Sequence, residues 1–396
     1  MSPDWYTFVV SPLGYLVVQF LRVQFSVVIG VLVALLLVRW SMNAARAHSV
    51  LARPGHRMSH TVPTPRLGGL GIAGAVCLIL AVMHAWVDVH PSPWLTALFF
   101  GGGLAFAGGM LDDILDLAPP WKALFQVAAA GSVAVAGVWP AGLTLGPWAV
   151  QALGAPGAAM ADTALGMAFA FGLVMFVMNA VNFMDGMDGQ AAVYGMVVAT
   201  GMYLPWYAVR PFTPGPEIFV LAALVGGLFG LYWYNSPGRP AGDKTFMGDC
   251  GSQFTGFVLA LMMLRALQVR VELLPAPTLG ILLLPFAWDV VYTLIRRASR
   301  RENLFEAHRS HLYQRLLVAG WTHGQALALN LFVWLVCLLL AMAYPTAMRD
   351  AGSYGGALVC LGAVALMALY TLVVLMVEKQ AAEDAPRAGG DAHTRG

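Results

Sequence analysis

The chain has 396 residues, of which 59% are hydrophobic and only 11% are charged, with a formal net charge of +2 at pH 7. A soluble domain carries roughly 25% charged residues, so this composition excludes an ordinary soluble protein. The small net charge says little by itself, and no nucleic-acid partner is expected. The four cysteines are scattered and form no paired motif, so neither a disulfide framework nor a zinc site is expected.

Long apolar windows recur along the chain, such as "SVVIGVLVALLLV" at 26–38. A helix needs about 20 apolar residues to span a bilayer, and these windows are too long and uniform for barrel strands. The sequence therefore predicts an all-α polytopic membrane protein with about eleven transmembrane helices. One integral membrane domain is expected at 1–380, followed by a disordered cytoplasmic tail at 381–396. The predicted spans are 20–39, 67–87, 94–111, 121–139, 163–181, 190–209, 217–235, 251–268, 277–295, 325–345 and 355–377.

Basic residues set the expected orientation, because lysine and arginine favour cytoplasmic loops. Most of the 22 lysine and arginine residues fall on one set of loops, among them Arg66, Lys122 and Lys244. The N-terminus is then expected in the periplasm and the C-terminus in the cytoplasm of a bacterial inner membrane. The first apolar run lacks a basic n-region and a small-residue cleavage site, so it is expected to be a retained helix.

The polar clusters of the sequence all fall on the predicted cytoplasmic side. This one-sidedness predicts a single cytoplasm-facing site assembled from several helix ends. The clusters are "RPGHRMSHTVPTPRLGG" at 53–69, "GMLDDILDL" at 109–117, "NAVNFMDGMDG" at 179–189, "DKTFMGDCGS" at 243–252 and "EAHRSHLYQRL" at 306–316.

The "LDDILDL" cluster places Asp112, Asp113 and Asp116 on shared faces of a helix. Like charges three or four residues apart repel one another, and the repulsion grows near lipid where the dielectric is lower. Either one carboxylate is protonated or a cation is present. The alternative is a solvated helix end whose acids cap a turn.

The "NAVNFMDGMDG" cluster repeats a polar residue at every third position, at Asn179, Asn182, Asp185 and Asp188. Asparagine both donates and accepts, and aspartate accepts twice. This set suits the edge of a nucleobase or the hydroxyls of a ribose. The alternative is that the Asp-Gly pairs only mark turns.

The "TFMGDCGS" cluster flanks Asp249 with two glycines, so that the backbone can approach a phosphate or a metal closely. Ser252 is expected at a helix N-terminus, where amide groups favour anions. Phe246 either stacks on a base or faces lipid. Read alone, the motif could also be a plain helix cap.

The last cluster carries His308, Arg309, His311 and Arg315 within two helical turns. Phosphate contact through imidazole and guanidinium is a better use of these residues than a metal site, since no third ligand accompanies the histidines. A basic helix attracted to anionic lipid headgroups is the alternative. The segment 53–69 supplies further cations but is the least specific of the clusters.

In this order and topology, "DDILD", "NAVNFMDGMDG", "FMGDCGS" and "HRSH" resemble the motifs of the polyprenyl-phosphate N-acetylhexosamine-1-phosphate transferases. The resemblance covers roughly spans two to nine and the loop that follows. "SHTVPTPR" and "HRSHLYQRL" look more like the branch that initiates O-antigen. The peptidoglycan branch, a phospho-MurNAc-pentapeptide transferase, has a lysine where this chain has Asp116, and it remains an alternative.

The resemblance implies transfer of a sugar-1-phosphate from a UDP-N-acetylhexosamine onto undecaprenyl or another polyprenyl phosphate, with release of UMP. It implies Mg²⁺, or Mn²⁺ in its place, because phosphates converge at the reacting centre. The donor sugar is left open between N-acetylglucosamine, N-acetylfucosamine and N-acetylquinovosamine, and so is the oligomeric state, with a homodimer as one option.

The resemblance also implies a role for each candidate residue. Asp249 is expected to be the chief metal ligand with help from Asp113, while Asp112 accepts the proton of the polyprenyl phosphate. The nucleotide is expected to be held by Asn182, Asp185, Asp188 and a stacking Phe246, and the diphosphate or sugar by His308, Arg309 and His311.

A secondary transporter is the main rival from another class, because transporters keep ionisable residues inside the membrane. Asp289, within the ninth span, is the acid that looks transporter-like; it is otherwise expected to pair with Arg296 or to lie nearer the cytoplasmic end. The segment between Asn235 and Phe246 is a few residues longer than the family pattern, which leaves open whether Asn235 reaches the nucleotide.

Overall fold

The computed structural model describes residues 11–52, 62–86, 92–140, 143–145, 148–150, 160–209, 211, 214–269, 272–303 and 309–384. Within these ranges the chain is almost wholly helical, as predicted. The helices are α1 Pro12–Ala47, α2 Gly69–Trp86, α3 Pro93–Leu115, α4 Pro119–Val135, α5 Met160–Met184, α6 Gln190–Val209, α7 Pro216–Asn235, α8 Gly248–Gln268, α9 Ala276–Ser299, α10 Leu312–Val318 and α11 His323–Asp384.

Two short antiparallel ribbons accompany the helices. Strand β1 Leu51–Ala52 pairs with β2 Thr64–Pro65, and β3 Leu143–Leu145 pairs with β4 Trp148–Val150. A single 3₁₀ turn, Ala241–Asp243, lies between α7 and α8. The first ribbon brings the start of α2 next to the cavity described below.

In the described part of the chain, eight helices are long and apolar enough to cross a membrane: α1, α3, α5, α6, α7, α8, α9 and α11. The apolar α2 is shorter. This confirms a polytopic helical membrane protein. A helix overlaps every predicted interval, while the count of eleven spans and the orientation of the termini stay predictions.

Helix α11 differs most from the prediction. It runs over 62 residues and is broken at Gly352, where φ is 59° and ψ is −149°. This left-handed conformation is one that glycine adopts without steric cost, so the chain reverses there between the two predicted spans 325–345 and 355–377. The helix continues to Asp384, so the first four residues of the predicted tail, 381–384, are helical.

Helix α8 is the centre of the fold, with nearly all of its side chains buried between α2, α3 and α5. It begins at Gly248, three residues before the predicted span, so that Asp249 lies in its first turn. Gly109 of α3 packs directly on this turn, because a Cβ there would collide with the carbonyl oxygen of Asp249. The close approach places the acids of α3 beside the start of α8.

The chain between α7 and α8 is joined to the start of α2. The Phe246 amide donates to the Pro65 carbonyl at 2.8 Å, and the Gly68 amide donates to the Phe246 carbonyl at 3.1 Å. The Gly69 amide donates to the Met247 carbonyl at 2.8 Å. These bonds fix the position of Phe246 and the entry into α8.

Candidate active site

A cavity of about 550 Å³ opens where the helix ends meet. Residues from all five polar clusters line it, and so do residues of α10 and of the turn that follows α10. The predicted site residues on its wall are Asp112, Asp113, Asp185, Phe246, Asp249 and Arg309.

Asp113 fastens α3 to the first turn of α8. Its two carboxylate oxygens accept hydrogen bonds from the backbone amides of Asp249 and Cys250, both at 3.0 Å. Such amides at a helix N-terminus have no partner within the helix and favour a negative charge. Asp113 therefore positions Asp249, and the residue is only 7% exposed.

Asp112 and Asp249 both lie close to the ammonium group of Lys122, a residue that the sequence marks only as a basic residue of a predicted loop. The ammonium of Lys122 lies 2.5 Å from Asp112 Oδ2 and 3.9 Å from Asp249 Oδ2. The other oxygen of Asp112 accepts from the Leu117 amide at 2.8 Å. A lysine in the first turn of a helix, shortly after a pair of acids, is the signal that could have identified it.

Asp185 lies just after α5 and on the cavity wall, as expected for a site residue. Burial raises the pKa of Asp185 well above its usual value, and the neighbouring charges of Asp113 and Asp188 raise it further. A protonated carboxyl group can donate a hydrogen bond as well as accept one.

Asp188 lies behind the wall and not on it. Its Oδ2 is 2.6 Å from the Lys244 ammonium and 2.9 Å from Nδ1 of His323. Burial raises the pKa of Asp188, but the hydrogen bonds from His323 and Lys244 outweigh it, so the net direction is downward. His323 does line the cavity and carries no motif in the sequence that singles it out.

The two asparagines of the second cluster lie deeper than the cavity. Asn182 accepts from the Ser252 hydroxyl at 3.2 Å, and it borders a small second cavity of about 30 Å³ beside Asp112 and Asp249. Asn179 exchanges hydrogen bonds with Gln126 at 3.2 Å. Asn182 thus lies on the side of the carboxylates of α3 and α8. Ser252, expected at the helix N-terminus, is instead in the second turn of α8 and fully buried.

The residues of the last polar cluster, at 306–316, lie in different places. Arg309 lines the cavity, and His308 falls outside the described residues. His311 is 5% exposed and is not among the cavity residues; its Nδ1 lies 3.3 Å from Asp289 Oδ1. The same oxygen accepts from the Leu312 amide at 2.8 Å.

These contacts correct the expectation for Asp289. The predicted pairing with Arg296 was wrong, since the carboxylate of Asp289 binds His311, the Leu312 amide and the hydroxyl of Thr293. Asp289 therefore joins α9 to the start of α10, which is a structural use of the acid.

Asn235 is also structural. It is 3% exposed, accepts from the Gly189 amide at 2.8 Å and donates to the Thr245 carbonyl at 2.8 Å. It thereby holds the Asp185–Gly189 turn against the chain that carries Phe246, and it is not among the cavity residues.

The residues present fit a divalent cation to which the protein supplies only one or two ligands. Among the residues that the structure describes, no group of three or more His, Cys, Asp or Glu is placed to hold a metal. Mg²⁺ commonly takes one or two carboxylates and completes its shell with substrate phosphates and water. Asp112 and Asp249 converge on one positive charge, at Lys122, which is the donor set such an ion needs.

Comparisons with known proteins agree with the motifs. The model of glycosyl transferase family 4 matches residues 95–267, from the start of α3 to the end of α8. Decaprenyl-phosphate N-acetylglucosaminephosphotransferase of Mycobacterium tuberculosis is 28% identical over 358 residues, covering 85% of this chain and 84% of that protein. The probable undecaprenyl-phosphate N-acetylglucosaminyl 1-phosphate transferase of Bacillus subtilis is 26% identical over 312 residues, with 77% and 80% covered.

A third relative is similar over a comparable length. Undecaprenyl-phosphate alpha-N-acetylglucosaminyl 1-phosphate transferase of Escherichia coli K12 is 26% identical over 318 residues, covering 76% of this chain and 77% of that protein. The predicted resemblance to polyprenyl-phosphate sugar-phosphate transferases is thereby confirmed.

Proposed function

We propose that this chain, which is similar to glycosyl transferase family 4 over residues 95–267, transfers an N-acetylhexosamine-1-phosphate from a UDP-sugar to a polyprenyl phosphate and releases UMP. One observation carries the proposal: Asp112 and Asp249, from two different helices, converge beside Lys122 on the wall of a cavity at the helix ends. That place suits both a water-soluble nucleotide sugar and a lipid with an anionic head.

In the proposed reaction, a phosphate oxygen of the lipid attacks the sugar-bearing phosphorus of the diphosphate. A new phosphorus–oxygen bond forms to the lipid, the bond to the UMP oxygen breaks, and UMP leaves with the electron pair. Several negative charges meet in this step, so fixed positive charge lowers the barrier. Lys122 is held by Asp112 where it can neutralise part of that charge, and its side chain is 42% exposed to the cavity and solvent.

We assign Asp112 and Asp249 to a divalent cation, with Asp113 as the residue that positions Asp249. When bound, Mg²⁺ would supply neutralisation of the diphosphate charge. Asp113, expected from sequence to be a ligand, has both oxygens bonded to backbone amides of α8. A proton-accepting role for Asp112 carries less weight, because a phosphate monoester is largely ionised near neutral pH.

We infer that the cavity faces the cytoplasm of a bacterial inner membrane. The distribution of lysine and arginine supports this orientation, and so does the bacterial origin of the relatives. The names of those relatives make N-acetylglucosamine the first donor sugar to test, and the "SHTVPTPR" motif supports a role in starting an O-antigen-like polysaccharide.

The transporter alternative loses its main support. Asp289, the one acid that looked transporter-like, is bound to His311 and to the amide that begins α10. The acids on the cavity wall lie at helix ends.

The test uses the full chain in detergent or nanodiscs with undecaprenyl phosphate, Mg²⁺ and a panel of UDP-N-acetylhexosamines. UMP release and a lipid-linked sugar phosphate of matching mass are expected for at least one donor. Excess EDTA should abolish the reaction, and added Mg²⁺ should restore it. Failure of every donor, or UMP release that does not depend on the lipid, would overturn the proposal; activity that persists in EDTA would remove the metal from it.

A further inference from the structure

One residue on the cavity wall and two behind it form what we call the Asp188 cluster: His323 on the wall, and Asp188 and Lys244 behind it. They come from three separate parts of the chain, and the carboxylate joins the other two at 2.6 Å and 2.9 Å. The exposed fractions of the three side chains are 10%, 15% and 23%, so the cluster is largely shielded from water. Of the three, His323 is the one on the cavity wall.

His323 is held at both its backbone and its ring. Its neighbour Thr322 caps α11, with its hydroxyl accepting from the Gln325 amide at 3.2 Å and its own amide donating to Gln325 Oε1 at 2.9 Å. The ring nitrogen Nδ1 lies 2.9 Å from the carboxylate oxygen Oδ2 of Asp188 and 3.2 Å from its backbone nitrogen, and it donates to the first or accepts from the second according to its tautomer. A histidine whose Nδ1 is engaged in this way has Nε2 left for a ligand.

The charge of the cluster indicates what kind of ligand it suits. The positive charge of Lys244 is balanced by the carboxylate of Asp188 at 2.6 Å. Burial favours the protonated, neutral form of the adjacent Asp185 by raising its pKa. A site with no surplus positive charge suits a neutral polar group better than it suits a phosphate.

Aromatic residues on the cavity wall flank the cluster in the chain. Phe246 lies two residues after Lys244, and Trp321 lies two residues before His323. Two residues span at most about 7 Å, so the Cα atom of each aromatic residue lies within that distance of a Cα atom of the cluster, and both aromatic residues line the same cavity as His323. A flat, neutral heterocycle with polar edges can stack on such a ring while its edge reaches a hydrogen-bonding side chain.

We propose that His323, held by Asp188, binds the nucleoside of the donor, with Nε2 hydrogen-bonded to a polar edge of the base or to a ribose hydroxyl. This inference rests on the proposed function, since it names a contact of the same nucleotide sugar. It replaces the direct contact expected for Asp188: that residue acts through His323 as a positioning residue, and Lys244 balances its charge. Of the described histidines, His323 then contacts the donor, and His311 belongs to the contact between α9 and α10.

The experiment measures UMP and uridine binding to the full chain by calorimetry, without the lipid acceptor, and transfer kinetics separately. His323→Ala is expected to weaken UMP and uridine alike by roughly tenfold, since one hydrogen bond between neutral groups is lost. The KM for the UDP-sugar should rise by a similar factor, with kcat at saturation changed less. His323→Gln retains a side-chain donor and should recover part of the affinity.

Asp188→Asn tests the positioning role. It should weaken UMP binding, and it should add little when combined with His323→Ala, because both changes remove one contact. His48→Gln, at the exposed C-terminus of α1, is the matched control and should bind like the unchanged protein. Thermal unfolding of each variant separates a lost contact from a lost fold, and His323→Gln serves if the alanine variant does not fold.

The outcomes separate this inference from the proposed function. A protein that binds no UMP and transfers no sugar contradicts the proposed function itself. UMP and uridine binding that survives His323→Ala overturns only the role of His323. Weaker binding of the UDP-sugar with unchanged binding of UMP would also overturn it, because His323 would then contact the sugar.

Discussion

The same pair of residue types occurs in two settings, one on the cavity wall and one behind it. At one, Lys122 lies 2.5 Å from Asp112; at the other, Lys244 lies 2.6 Å from Asp188. The first lysine side chain is 42% exposed and has a second acid within 3.9 Å, whereas the second is 15% exposed and its acid is shared with His323. An open pair can exchange partners with a substrate, while an enclosed pair is costly to separate and serves to hold its surroundings.

The largest effect is expected at the exposed pair of Lys122 and Asp112, when the second acid near Lys122, Asp249, is replaced. Asp249→Asn is expected to lower the rate of UMP release by at least about 100-fold, because preorganised charge at the reacting phosphates is lost. Transfer from the UDP-sugar to the lipid is the measurement. Asp243→Asn, an exposed acid with a 55% exposed side chain in the neighbouring loop, is the control and should keep full activity. Comparable rates in both variants would remove Asp249 from the active site.

Substituting each lysine by glutamine sharpens the contrast directly. Lys122→Gln should lower kcat by about 10- to 100-fold with little change in the melting temperature, because an exposed ion pair adds little stability. Lys244→Gln should instead destabilise the fold by about 3 kcal/mol, since it leaves the carboxylate of Asp188 enclosed without its cation. Melting temperature and kcat, measured for both variants, decide it. If the two variants show the same pattern, the distinction between the settings is wrong.

The sequence predicted one setting far better than the other. Asp112, Asp113 and Asp249 stood out because acids at helix ends in an apolar chain are expensive, and the structure brings all three to the cavity. Lys122, Lys244 and His323 did not stand out, because a basic residue in a loop already has an explanation in membrane topology. Their roles depend on which acid lies opposite, and that is decided by packing between distant segments, such as the contact of Gly109 with the first turn of α8.

The spacing of the polar residues in the second cluster predicted that they lie near the site, but it did not predict which residues they contact. The three-residue repeat from Asn179 to Asp188 predicted one set of residues around a nucleotide, yet the helix ends at Met184 and the four residues have different surroundings. Asp185 lines the cavity, Asp188 lies behind it, and the asparagines lie deeper, towards α4 and α8. A helical repeat loses its meaning at the residue where the helix stops, and the sequence does not mark that residue sharply.

Asp185 is influenced by the charges of both Asp113 and Asp188, and its ionisation should lower the free energy of unfolding. Burial raises the pKa of Asp185 above its unfolded value, with the charges of Asp113 and Asp188 adding to the shift. The folded protein then holds a proton that the unfolded chain releases, so stability falls as the pH rises from the unfolded pKa to the folded one. Asp185→Asn removes this penalty and should raise the melting temperature at pH 8 by about a few degrees, but by less at pH 4.

Thermal unfolding of Asp185→Asn over this pH range provides the check. Asp188→Asn should behave in the opposite sense: the pKa of Asp188 is lowered in the folded protein, because the hydrogen bonds from His323 and Lys244 outweigh burial. Its contribution is present above the unfolded pKa and is lost as the pH falls through the folded one. If the melting temperatures of the two variants changed with pH in the same direction, the proposed difference between Asp185 on the cavity wall and Asp188 behind it would be wrong.

The smallest effect on stability and activity is expected at the exposed ion pair of Arg66 and Asp116, which we call the rim pair. Arg66 and Asp116 line the cavity and form an ion pair at 3.0 Å, but the Asp116 side chain is 85% exposed. Such a pair contributes about 0–1 kcal/mol, so Asp116→Asn should leave the melting temperature nearly unchanged. Releasing Arg66 from a competing carboxylate should lower the KM for the UDP-sugar slightly, about twofold, if the guanidinium reaches the diphosphate. Steady-state kinetics at low and high salt measure this, because the gain should shrink as ions screen an exposed charge. A large loss of activity in this variant would mean that the rim pair of Asp116 and Arg66 takes part in the reaction, the role proposed for Asp112 and Lys122.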